Sequence, residues 1–319
     1  MERRIPELGF ADYTRGQAGT REAFTDALMR GLQDFGFVVL RDHPVPATLL
    51  EQAYHLTAAF FAQSEADKRR YIGGPRGYAP FGMEHAKDRA VPDLKEFWQM
   101  GPERAEPAHT SPTNLWPDSP GGFRPTFLAL FDALQDTGRL ILEALTPGLG
   151  LAPRYFEPLL TDRNSVLRLL HYPPISIDVP AGSLRSAPHE DINLITLLVA
   201  PAGPGLEILD RDGRWLPVPS QPHDLIVDAG DMLAHMTNDV ISATTHRVVN
   251  PTGMNHSRYS MPFFMHPNSD VVLRCVESCI GQAPKYADIT AGEFLEQRLR
   301  EIGLLDRQTS QPAAGQEQA

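Results

Sequence analysis

Cysteine is nearly missing from this chain: Cys275 and Cys279 are the only two in 319 residues. Two thiols cannot build a disulfide framework, and without partner cysteines they form no structural zinc site, so they read as ordinary reduced thiols. Long apolar runs are missing too. No stretch approaches the roughly 18 consecutive apolar residues of a membrane span, and the opening Met1-Glu-Arg-Arg-Ile-Pro-Glu-Leu lacks the apolar core of a secretory signal. Blocks of basic residues are absent, the pair Arg69-Arg70 being too short to count. A formal net charge of -11 further disfavours nucleic-acid binding, which relies on clustered Lys and Arg. The expectation is a soluble, cytoplasmic protein without a membrane or nucleic-acid partner. No internal repeat is visible.

What is present is enough apolar content, 42% of the residues, to bury a large core in one elaborated domain. Phe24, Ala27, Leu28, Gly31, Leu32 and Phe35 recur at helical spacing, which predicts a helix over 20–35 ended by Gly36. Phe37-Val-Val-Leu40, followed by Pro44 and Pro46, suits a buried strand. A helix over 47–62 and another after the cap-like Ser64 come next. Residues 74–120 are rich in Gly, Pro and polar side chains and read as loop. A long amphipathic helix runs from Pro125 to Leu145, stopped by Pro147 and Gly148. After residue 164 the texture changes to short apolar runs between turn signals: Val166–Leu170, Leu194–Val199, Leu206–Leu209, Leu225–Val227, Thr245–Val249, Tyr259–Phe264 and Val271–Val276. Such spacing indicates a β-sandwich or barrel. Residues 290–302 return to helix, and the polar tail after Asp306 reads as disordered.

One constellation carries chemistry. In an extended chain, residues two apart project from the same face, so His189 and Asp191 can address one ion while Glu190 points away. A third ligand must come from elsewhere, with His246 and His235 as candidates. His246 is favoured because it opens a β-branched run bounded by the turn signal Asn250-Pro-Thr-Gly253. Two imidazoles and a carboxylate leave positions open for substrate and oxygen, the arrangement of non-haem iron(II) oxygenases. Zinc hydrolysis could draw on the same donors. If the turn centres on Thr252, antiparallel pairing sets His246 opposite Arg258, and period two adds Ser260 to that face. A guanidinium and a hydroxyl there could grip a carboxylate.

Over nearly its whole length the chain resembles the isopenicillin N synthase-like family of iron(II)/2-oxoglutarate dioxygenases. The motifs are Phe35-Gly-Phe-Val-Val-Leu40, Asp93-Leu-Lys-Glu-Phe-Trp98, Asn114-Leu-Trp-Pro117, Leu167-Arg-Leu-Leu-His-Tyr-Pro-Pro174, His189-Glu-Asp191, Asp228-Ala-Gly-Asp-Met-Leu233, His246-Arg-Val-Val-Asn-Pro251 and Arg258-Tyr-Ser-Met-Pro-Phe-Phe264. The resemblance implies a mostly β fold, a double-stranded β-helix or jelly roll buttressed by N-terminal helices. It divides the chain into a helical and extended region over 1–163, a catalytic core over 164–289, a C-terminal helix over 290–306 and a tail over 307–319. It also implies Fe(II), 2-oxoglutarate and O2. Carried over by position, His189, Asp191 and His246 hold the metal and are the catalytic set, while Arg258, Ser260 and Tyr172 bind 2-oxoglutarate.

Two departures bear on chemistry. Leu170 stands where many plant members have Asn, which removes one polar contact to the cosubstrate. His189-Glu-Asp-Ile-Asn-Leu-Ile-Thr196 and Ala234-His-Met-Thr-Asn238 resemble isopenicillin N synthase, which consumes no 2-oxoglutarate. The expected activity is hydroxylation or desaturation of a small metabolite with release of succinate and CO2. An oxidase or cyclase without 2-oxoglutarate is the alternative, and a non-catalytic jelly roll binding a small acid is a third reading. Asp191 argues against halogenation, since related halogenases lack that carboxylate. The loop from Arg76 to Asp93, with Tyr78, Phe81, Glu84 and His85, is expected to line a pocket for a small polar substrate such as an amino-acid derivative.

Overall fold

The computed structural model describes residues 3–84, 91–103, 112–176, 178–199 and 203–302. Two β-sheets face each other across an apolar interior. In spatial order the larger runs through β1 (Glu7–Gly9), β2 (Phe37–Arg41), β11 (Leu225–Ala229), β8 (Ile195–Val199), β13 (Arg258–Met265), β6 (Val166–Tyr172), β5 (Glu96–Met100), β4 (Arg76–Ala79) and β3 (Ile72–Gly73). The smaller runs β10 (Trp215–Pro217), β9 (Leu206–Leu209), β12 (His246–Val248) and β7 (Ser186–His189). From β6 to β13 the chain passes back and forth between the sheets, four strands to each, which makes a double-stranded β-helix. The earlier strands extend the larger sheet at both edges.

Strand β2 shows why its sequence is an unbroken apolar run. Phe37 and Val39 enter the interior between the sheets, while Val38 and Leu40 join the core on the helical side, so both faces of the strand are buried. That outer side is covered by α1 (Ala11–Thr14), α2 (Ala18–Phe35), α3 (Ala47–Phe61), α4 (Glu65–Arg69) and α5 (Phe123–Leu145), with α3 and α5 against β13. In α5, Phe127, Leu130, Phe131, Leu134, Ile141, Leu142 and Leu145 are buried at helical spacing. Phe131 meets Phe263 of β13 edge-on at 5.0 Å. Each such side chain contributes about 1.5–3 kcal/mol by leaving water. Two further helices, α6 (Asp231–Met236) and α7 (Ala291–Glu301), add Met232, Leu233, Met236 and Phe294 to the core, α7 opening on a capping box between Thr290 and Glu293. Among the described residues no helix is long and apolar enough to cross a membrane.

Three sequence expectations are corrected. His246 and Arg258 do not face each other across a hairpin: β12 pairs with β7 and β9 in the smaller sheet, whereas β13 pairs with β6 and β8 in the larger. A hairpin requires pairing between sequence neighbours, and here the β-helix sends β12 and β13 to opposite sheets. Residues 74–120 are not simply loop, because β4 and β5 lie within them. The run Val271–Val276 shortens to a two-residue strand, Val272–Leu273. The tail after residue 306 lies outside the described residues.

Gly36 ends α2 in the left-handed region, at φ 66°, with its N–H bonded to the Leu32 carbonyl. A Cβ there would sit 2.1 Å from Thr244 Oγ1 and 3.0 Å from the Ser242 carbonyl oxygen. Only glycine fits without moving the segment that leads into β12. Gly36→Ala is therefore expected to cost about 2–4 kcal/mol, from the left-handed backbone and from overpacking together. Urea unfolding of the two proteins would measure it, and a difference under about 0.5 kcal/mol, the ordinary range of surface changes, would refute it.

Candidate active site

His189 closes β7 and His246 opens β12, and the two residues are direct partners across that pairing. Their rings lie 4.3 Å apart between centroids. Asp191 follows β7 by two residues, and its Oδ1 is 3.9 Å from Nε2 of each histidine. One ligand atom from each of the three falls within 4.8 Å of the others. His189 Nδ1 donates to the Ala187 carbonyl at 2.8 Å and His246 Nδ1 to the Thr244 carbonyl at 3.1 Å. Since a carbonyl can only accept, each Nδ1 carries the proton and each Nε2 keeps its lone pair for a metal. Burial, and then the neighbouring His189 ring, push the His246 pKa well below that of an ordinary histidine, so the ring is neutral near pH 7. Asp191 is fixed on its far side by the Thr196 hydroxyl, which donates to Oδ2.

Facing this cluster from the larger sheet, Arg258 is only 2% exposed, and among the described residues none of its three guanidinium nitrogens has a hydrogen-bond partner. Burial pulls its pKa below the usual arginine value. Tyr172 is its direct cross-strand partner, with the guanidinium carbon 5.1 Å from the ring centroid. Ser260, on the same strand face, is equally buried and pairs with Leu170. A second buried guanidinium, Arg185, bonds the His256 carbonyl at 2.5 Å and lies within electrostatic reach of Arg258. Among the described residues neither arginine pairs with a carboxylate. A desolvated cation with open donors is costly unless an anion joins it, and this one sits beside a set of metal-binding atoms. The donors therefore fit a metal, and Arg258 fits the free carboxylate of a metal-bound organic acid.

The pocket loop divides. Tyr78 turns to the helical side, packs on Phe60 at 6.1 Å and bonds Glu96 and Glu65, so it faces away from the metal-binding cluster. Phe81 is 47% exposed. Glu84 is enclosed, bonded by Arg168 at 3.1 and 3.2 Å and by Lys95 at 2.8 Å. Burial alone would raise the Glu84 pKa, but Arg168 and Lys95 outweigh it and hold the carboxylate well below the usual range. His85 lies outside the described residues. His235 is remote from the triad: it stacks on Tyr286 at 4.8 Å in a cleft of about 1030 Å³ between α6 and α7, which Glu190 also lines.

Sequence reading missed the outer partners of the cluster. Asp228 is 3% exposed, its Oδ2 is 3.6 Å from His246 Nδ1, and among the described residues neither of its oxygens accepts a hydrogen bond. Burial, and then Asp191, raise its pKa well above the carboxylate range. Thr196 was available as a signal, the polar residue in the apolar run Leu194–Val199, but a threonine in a strand is unremarked without its partner. Thr196→Val removes the hydrogen bond that orients Asp191 and is expected to weaken divalent-metal binding by about 10- to 100-fold. Mn(II) titration followed by electron paramagnetic resonance would measure this, and unchanged affinity would contradict it.

The sequence profile of the 2OG-Fe(II) oxygenase superfamily matches residues 163–267, and that of the non-haem dioxygenase in morphine synthesis N-terminal region matches residues 5–119. A proline hydroxylase of Petromyces alliaceus is 32% identical over 317 residues, spanning 92% of this chain and 98% of that protein. Among solved structures, a 2OG-Fe(II) oxygenase family protein from Caulobacter crescentus is 40% identical with a TM-score of 0.84, covering 93% of this chain and 99% of the other. A Neurospora crassa protein, solved in complex with alpha-KG and thymine, is 29% identical with a TM-score of 0.85, covering 93% and 96%.

Proposed function

Because the chain belongs to the 2OG-Fe(II) oxygenase superfamily, and so is an iron(II)- and 2-oxoglutarate-dependent dioxygenase, we propose that His189, Asp191 and His246 hold its iron. On the same reading Arg258, Ser260 and Tyr172 hold 2-oxoglutarate, and the enzyme hydroxylates a small polar metabolite such as an amino-acid derivative. The observation that carries this assignment is the guanidinium of Arg258, unpartnered among the described residues, facing the His189–Asp191–His246 cluster from the opposite sheet. When bound, iron(II) and 2-oxoglutarate supply the oxidising chemistry, in which O2 is consumed, the keto acid becomes succinate and CO2, and the substrate gains an oxygen atom.

The chain's own part is placement. The Nδ1–carbonyl bonds of both histidines keep each Nε2 free and aimed at one point, and Thr196 holds Asp191 to it. Arg258 and Ser260 fix the far carboxylate of the keto acid, and the apolar surroundings of Ile208, Ile226 and Leu170 keep water from it. The substrate class is supported by two relatives, one named as a proline hydroxylase and one solved with thymine, both of which handle small polar molecules. Anaerobic addition of iron(II) and 2-oxoglutarate should give a weak visible charge-transfer band, and admission of air should release succinate. Full oxygen consumption without the keto acid would instead support an oxidase or cyclase.

A further inference from the structure

Beside the metal-binding cluster lies a group of charges that the proposed chemistry does not use. Lys95 bonds Asp93 at 2.8 Å and Glu84 at 2.8 Å, and Glu84 also receives Arg168. Asp93 additionally accepts from the Ala187 N–H at 2.9 Å, so both carboxylates are committed. Arg168 lies over the Phe97 ring at 4.1 Å and bonds Gln99 at 2.9 Å. Arg76, at the start of β4, is a third cation here and has no carboxylate partner among the described residues. Its Nε is enclosed without a hydrogen-bond partner among the described residues. The three cations Arg76, Arg168 and Lys95 face two carboxylates, Glu84 and Asp93, which leaves one positive charge over.

That guanidinium is held in place by backbone. It lies flat over Gly101, where a Cβ would come 2.3 Å from Nη2 and 2.7 Å from Cζ. Burial and the neighbouring Arg168 bring its pKa down to about 10, which still leaves it charged near neutral pH. His266, one residue beyond β13, lies within electrostatic reach of both Asp191 and Arg76. Its Nδ1 is also buried and, among the described residues, unpartnered. An uncommitted guanidinium and an uncommitted ring nitrogen thus lie on the side of the cluster where Glu84 comes within electrostatic reach of His189. Arg258 and Arg185 form a separate group that already accounts for the cosubstrate.

We infer that Arg76, with His266 beside it, is the anchor for a carboxylate of the primary substrate, so that the enzyme acts on a small organic acid and not on a neutral molecule. A carboxylate there would cancel the spare charge, give Arg76 Nε the acceptor it lacks, and set the rest of a small molecule between the anchor and the metal. The aromatic faces of Phe97 and Phe264, which flank Arg168, would cover its apolar part. This inference rests on the assignment of the metal to His189, Asp191 and His246.

The test needs no knowledge of the natural substrate. With Mn(II) in place of iron and saturating 2-oxoglutarate occupying Arg258, the protein's paramagnetic enhancement of methyl-proton relaxation is measured for acetate and for its neutral counterpart acetamide. Wild type is expected to bind acetate about tenfold more tightly than acetamide, as a charge-assisted hydrogen bond implies. In Arg76→Gln the two probes should become equal, with 2-oxoglutarate affinity and melting temperature unchanged, while Arg76→Lys keeps part of the preference. Equal binding of both probes by wild type, or a preference that survives Arg76→Gln, would overturn the inference. Failure of wild type to bind Mn(II) or 2-oxoglutarate would be a separate result, directed at the metal assignment itself.

Discussion

His246→Ala is expected to strip the protein of iron and to abolish 2-oxoglutarate turnover. The variant leaves His189 and Asp191, two donors from one segment of chain, with nothing from β12 to close the third side. The loss should go well beyond the ~10- to 100-fold that outer partners of a metal ligand contribute. Iron content by elemental analysis should fall to background, and succinate formation with it. Stability supplies an independent readout. Iron at a hundred times its dissociation constant stabilises the native state by about 2.7 kcal/mol, so it should raise the wild-type melting temperature by a few degrees and that of His246→Ala not at all. His235→Ala serves as the control, because its ring lies in the cleft between α6 and α7. Wild-type iron stoichiometry in His246→Ala would defeat the assignment.

Arg258→Met should have effects of opposite sign on binding and on stability. A guanidinium buried to 2% exposure with all three nitrogens unpartnered among the described residues is an unfavourable group in the protein without its cosubstrate, since desolvation is uncompensated. Methionine fills similar space without that penalty, so the melting temperature without cosubstrate should rise. Truncating one partner of a buried charge pair costs about 2–5 kcal/mol, so 2-oxoglutarate affinity should fall by two to three orders of magnitude. Calorimetric titration of the Mn(II) protein measures the second effect, and thermal unfolding the first. A 2-oxo acid with one carboxylate, such as pyruvate, should bind both proteins alike, because it presents nothing to position 258. A variant that melted several degrees lower and still bound 2-oxoglutarate normally would mean that Arg258 is a structural residue.

The sequence was most legible where chemistry and period are local. Helix α2 and its end at Gly36 follow from apolar spacing and one glycine, and the two-residue step from His189 to Asp191 follows from strand geometry. Legibility failed where partners are distant. The hairpin linking His246 to Arg258 was wrong in its pairing because β13 takes β6 and β8 as neighbours, yet both residues still face the same interior from opposite sheets. Strand β5 was hidden because Glu96, at the head of its pattern, is polar and buried. Only the fold reveals that Lys68 reaches it at 2.6 Å and His171 at 2.7 Å. Arg76 looked like any arginine in a Gly-Pro loop. What distinguishes it is that among the described residues no carboxylate pairs with it, and no single sequence spells out an absence.

The order of the larger sheet separates two kinds of change. The residues proposed to hold iron and cosubstrate sit on or beside strands of the eight-stranded core, whereas Arg76, Lys95, Gln99 and Gly101 sit on or beside β4 and β5, which are appended outside β6. The edge can be rebuilt for a different molecule while the oxidising centre stays as it is. Swapping residues 72–101 between this enzyme and a relative of the same fold would exchange what is oxidised and leave untouched how.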